Sequence, residues 1–173
     1  MAGTRRSEAG TPLRLLVAGF GNELIPGDAC AKSIVEQIRL PCGEARWLGR
    51  GVQALIHLIH DYDALIVVDA SRRVPRGTVR TTIVESCDQL ELNALHEAGL
   101  LEALCMAMEV SKAVTGRHPL VYLVECGIGS PFDGEAASLA IREAIPLIEE
   151  LAGELCARAE SGQRAGQEAR GDG

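Results

Sequence analysis

Three residues carry the side chains most able to do chemistry together. Asp28 follows the glycine-bearing loop Gly19-Phe-Gly-Asn-Glu23-Leu-Ile-Pro-Gly27, Asp69 ends the apolar run Leu65-Ile-Val-Val68, and His96 opens the segment His96-Glu-Ala-Gly-Leu100. A carboxylate placed directly after four aliphatic residues is costly to desolvate without a partner or a metal. Two acids and an imidazole from three separate loops make an O/O/N ligand set for a divalent transition metal. The same groups suit catalysis, because a carboxylate in such a set can also act as a general base. Each residue has a plainer reading as well: Asp28 as a helix N-cap, Asp69 as a turn acid at a strand end, His96 as an ordinary loop histidine.

Other groups compete for attention. His57 and His60 stand three apart and could share one helix face around a metal. Cys126 lies beside a glycine turn, where a nucleophile could sit, but no histidine neighbours it in the sequence. His118 precedes Pro119 at a strand entrance, the opposite end of a sheet from the candidate site, and reads as structural. The first loop begins Gly-x-Gly yet lacks the third glycine of a dinucleotide fingerprint and has no Walker lysine.

The elements that must deliver these side chains follow from periodicity. Residues 13–18, apolar apart from Arg14, suit a buried parallel strand passing into a tight loop. Asp28 can cap a helix over 28–40, which Pro41 closes. A short strand at 44–48 and a helix at 52–60 lead to the second buried strand, 63–70, with Asp69 at its carboxyl end. Residues 78–84 alternate and carry Arg80, as an edge strand would. A helix over 98–114 ends at Gly116, a last strand covers 120–126, and a helix over 135–155 contains Pro146 as a kink. Strands alternating with helices imply an α/β fold of three layers, one sheet with helices on both faces, whose ligand sites lie at the carboxyl ends of the strands. The expected organisation is a flexible arm at 1–12, one domain at 13–156 and a disordered tail at 157–173.

Composition narrows the function classes. At 173 residues with 47% hydrophobic content the chain can bury one sizeable core. A net charge of -7 has the wrong sign for phosphate-backbone binding, and 3% aromatics provide no stacking platform, so nucleic acid is not an expected partner. The apolar stretch after Arg5-Arg6 is short and interrupted by Arg14, unlike an export signal, and no uncharged run of about 18 residues exists for a membrane-spanning helix. A cytoplasmic home is expected. The six cysteines contain no C-x-x-C pair and read as mostly reduced core residues.

In their order and spacing, Gly19-Phe-Gly-Asn22 with Asp28 six residues later, Leu65-Ile-Val-Val-Asp69-Ala70, and His96-Glu-Ala-Gly99-Leu100 resemble the successive motifs of the nickel-iron hydrogenase maturation endopeptidases, over residues 13–155. The resemblance implies a twisted, mainly parallel five-stranded sheet between helices, with Asp28, Asp69 and His96 as the metal-binding and catalytic set. It further implies a peptidase that removes a C-terminal extension from the hydrogenase large-subunit precursor after nickel insertion. The nickel would arrive with that precursor rather than be held permanently, and the peptidase would be a monomer. Three positions depart from the family pattern: Gly27 stands where many members carry a second acid, the histidine segment has one extra residue, and the last glycine turn reads Gly127-Ile-Gly-Ser-Pro131. The missing acid keeps open a non-cleaving maturation chaperone or metal-checkpoint protein of the same fold. A hydrolase of the peptidyl-tRNA type, suggested by Gly-x-Gly-Asn, lacks the histidine expected soon after the loop and the basic surface.

Overall fold

Long aliphatic runs in this chain have no polar alternation because their strands are buried from both sides. In the computed structural model, which describes residues 12–87 and 98–171, β1 (Leu15–Phe20) is buried along its whole length. The same holds for β3 (Ala64–Ser71) up to Val68. The remaining strands are β2 (Glu44–Gly49), β4 (Val79–Val84) and β5 (Leu120–Gly127). They form one sheet in the order β2-β1-β3-β5-β4. All neighbours are parallel except β4 and β5, so the alternating, charged β4 is an antiparallel edge strand, as its sequence pattern requires.

Helices cover both faces. One face packs Leu15, Val17, Ile66, Val68 and Val124 against α1 (Cys30–Gln37) and α4 (Gly134–Gly171). Ala136, Ala137, Ala140 and Ala144 recur at helical spacing and are buried, which lets α4 lie close to the sheet. The other face packs Leu16, Ala18, Leu65, Val67 and Leu123 against α2 (Ala54–Leu58) and α3 (Ala98–Thr115).

Four expectations need correction. The 52–60 helix is split into α2 and a 3-10 turn at Ile59–Asp61. Asp28 does not cap α1: Ala29 is the N-cap residue and makes no side-chain cap bond, while the Asp28 carboxylate turns back to its own loop. Residues 157–171 are not a disordered tail but the continuation of α4. A helix already nucleated by packing extends readily through Ala, Glu, Gln and Arg, which here outweigh Gly162 and Gly166 at about 1 kcal/mol each. Lastly, Cys42 and Cys156 form a disulfide with Cα atoms 6.1 Å apart, tying the loop before β2 to α4 across 114 residues of sequence. The separation explains why no local spacing announced it. Among the described cysteines, Cys30, Cys87, Cys105 and Cys126 form no disulfide, the first and last of them buried as expected.

Candidate active site

From β1 the chain turns one way, through α1 to β2, and then crosses to the other side of β1 to form β3. Loops leaving β1 and β3 therefore diverge, and a crevice opens between them at the carboxyl ends of the strands. A cleft of about 550 Å³ occupies this point, and both Asp28 and Asp69 line it.

The first loop is held by its own backbone. Asn22 N–H donates to Asp28 Oδ2 at 2.7 Å, and Leu24 N–H donates to Asn22 Oδ1 at 3.1 Å. Gly21 has φ +143, and a Cβ there would lie 2.0 Å from the Asp28 carbonyl oxygen. Only glycine allows the loop to close this tightly on Asp28. Gly27 N–H donates to the Pro131 carbonyl at 2.7 Å, joining this loop to the turn after β5. Arg76 secures that turn by bonding Asp133 at 2.6 and 2.9 Å and Glu135 at 2.7 Å. Asp133 in turn accepts from Ala136 N–H at 3.0 Å at the start of α4.

Asp69 enters the cleft from the end of β3. Its register partner on β5 is Glu125, whose own partner on β4 is Arg80. Directly paired residues stand on the same face of a sheet, so two acids lie side by side. Glu125 is only 4% exposed. It accepts from Arg80 at 2.9 and 2.6 Å and from Arg73 at 3.2 Å, which compensates its buried charge. Gly99 and Leu100 at the start of α3 line the cleft as well. They follow His96 closely in the chain, and His96 itself lies outside the described residues.

No profile of a known family and no curated protein sequence matches this chain. Solved structures do. The hydrogenase 2 maturation peptidase from Thaumarchaeota archaeon SCGC_AB-539-E09 superposes with a TM-score of 0.59 at 28% identity, covering 81% of this chain and 98% of its own. In fold and in sequence the chain is thus similar to a hydrogenase maturation endopeptidase. Two further members share the fold: the [NiFe] hydrogenase maturation protease HybD from Thermococcus kodakarensis, at TM-score 0.61 and 17% identity over 81% of this chain and 99% of its own, and the E. coli maturating endopeptidase HybD, at 0.56 and 24% over 80% and 93%.

In this chain the competing candidates fall away from the cleft. His57 is exposed on α2, while His60 has a buried Nδ1 without a hydrogen-bond partner, and neither lines the cleft. Among the described residues no cluster of three or more His, Cys, Asp or Glu is arranged to hold a metal ion. Cys126 is fully buried on the α1 and α4 face, where a substrate cannot reach it. Its thiol bonds with that of Cys30, and this bond, followed by burial, pushes the Cys30 thiol well above its usual range. His118 sits at the entrance to β5 with Nδ1 2.9 Å from the Pro119 carbonyl, at the far end of the sheet as expected.

Sequence reasoning overlooked Glu125 and the cleft-lining arginines Arg50 and Arg72. Glu125 carried the signal used for Asp69, an acid closing an aliphatic run. Arg50, between Gly49 and Gly51, had only the signature of a turn.

Proposed function

We propose that this protein is a maturation endopeptidase that removes the C-terminal extension of a nickel-iron hydrogenase large-subunit precursor once nickel has been inserted, with Asp28, Asp69 and His96 engaging the nickel carried by that precursor. The observation that carries the reading is the convergence of Asp28 and Asp69, from two different strand ends, on one cleft at the switch point of the sheet. The precursor is a protein partner met in the cytoplasm by a monomeric peptidase.

The chain's own groups divide the work as follows. Asn22 N–H fixes Asp28 by engaging Oδ2, so Oδ1 is oriented for a ligand. Asp69 supplies a second carboxylate, and His96 a neutral imidazole nitrogen. Such a set leaves coordination positions for the precursor's own ligands, so binding reports whether metal insertion is complete. A carboxylate of the set, acting as general base toward water, then serves cleavage.

Incubating the protein with nickel-loaded and nickel-free precursor and weighing the products tests this directly. Cleavage of the loaded form alone, lost by about 100-fold or more in Asp28→Asn and His96→Ala, is the expected result. Binding without cleavage by the wild type would replace the peptidase with the non-cleaving checkpoint protein, and normal rates in both variants would remove these residues from the site.

A further inference from the structure

Besides its two acids the cleft contains an arginine held in position by its backbone. β2 ends at Gly49, whose φ of +59 is the left-handed conformation that glycine tolerates best. The Gly49 carbonyl accepts from Gly21 N–H at 3.0 Å, and the Leu48 and Arg50 carbonyls accept from Gly51 and Val52 N–H, each at 3.0 Å. This turn carries Arg50 to the cleft that Asp28 and Asp69 line. Elsewhere Arg14, Arg76 and Arg80 each reach a carboxylate, and Arg72, also at the cleft, is engaged already. The Arg50 side chain has no hydrogen-bond or ion-pair partner among the described residues, although two carboxylates share its cleft.

We propose that Arg50 forms a carboxylate-binding subsite that positions the precursor's C-terminal segment beside Asp28 and Asp69. A guanidinium presents a planar fork of donors that matches a carboxylate in two parallel hydrogen bonds. In a partly enclosed cleft such a bond is stronger than at an open surface. Held apart from Asp28 and Asp69 by the glycine turn, Arg50 keeps this capacity for the substrate. The carboxylate is either the free C-terminus of the extension or an acidic side chain within it. This inference rests on the peptidase reading and names the chemistry of its substrate.

The test uses nickel-loaded precursor, a precursor lengthened by two C-terminal alanines, and one whose extension acids are changed to amides. Arg50→Ala is expected to raise KM about tenfold with kcat within twofold, and Arg50→Lys to recover part of the loss. The substrate change that removes the partner carboxylate raises KM for the wild type and leaves KM of Arg50→Ala unmoved, which identifies the source. An unchanged KM in Arg50→Ala, or equal sensitivity of both proteins to both altered precursors, overturns the proposal. The same cycle read as Kd by calorimetry separates the two readings: a wild type that binds but does not cleave refutes the peptidase while the Arg50 coupling stands or falls on its own. Because Arg50 is exposed, an unchanged melting temperature verifies that the variants fold.

Discussion

Gly27 N–H donates to the Pro131 carbonyl oxygen at 2.7 Å, and a Cβ at Gly27 would lie 2.7 Å from that same oxygen and 2.8 Å from the carbonyl of Ser130. Two departures from the family pattern, the missing second acid and the Gly127-Ile-Gly-Ser-Pro131 turn, are thus one packing arrangement. The turn sits where a side chain at position 27 would need to be.

Restoring the acid is therefore expected to harm the protein. Gly27→Asp forces backbone out of contact and costs about 1–3 kcal/mol, as overpacking does. Urea denaturation of the variant beside the wild type measures it. Equal stability together with faster precursor cleavage would show that the turn yields and that the acid was merely absent.

Asp28 permits a separation of fold from function. Asp28→Asn retains an oxygen for the Asn22 N–H, so its stability should stay within about 0.5 kcal/mol of wild type while cleavage falls. Asp28→Ala loses that bond too and should cost about 1 kcal/mol more. Thermal melts paired with cleavage assays distinguish the two, and parallel losses in both variants would make Asp28 a structural residue only.

Glu125 is expected to matter for stability more than its position on the last strand suggests. Glu125→Leu leaves Arg73 and Arg80 without their shared partner beside Asp69. Both arginines are partly exposed, at 27% and 48%, so the cost should be about 1–3 kcal/mol, below that of breaking a wholly buried pair. Adding Arg80→Met should recover part of the loss, and a double variant no more stable than the single one would argue against this electrostatic account.

Asp63 makes the fold sensitive to acid. Burial alone would raise its pKa, but bonds from the Arg14 side chain and backbone, with the charges of Arg14 and Arg117, outweigh burial and bring it below the usual value. A lowered folded pKa means that the unfolded chain binds the proton more readily. Stability from this group is then present above about pH 4 and lost as pH falls through the lower folded value. Denaturation midpoints from pH 2 to pH 6 should show the gap between wild type and Asp63→Asn closing toward the acid end, and a gap independent of pH would exclude this origin.

Much of the architecture was legible because it rests on short-range rules. Aliphatic runs marked β1 and β3, alternation marked β4 as an edge, and helical spacing marked α1, α3 and the first part of α4. Asp28 and Asp69 could be singled out because an acid beside a tight glycine loop or after a buried strand stands apart from its local context. The motif order further pointed to the family.

Tertiary structure decided what depends on distant neighbours. The order in which β3 crosses to the other side of β1 brings Asp28 and Asp69 to one cleft. Cys42 meets Cys156 only because α4 runs back over the sheet to the loop before β2. Asp28 does not cap the helix, because its carboxylate accepts instead from Asn22 N–H in the closed loop. Glu125 became Asp69's neighbour through a register between strands far apart in the chain. In each case the deciding interaction joins segments whose separation no periodicity encodes, so the residue types were readable while their partners were not.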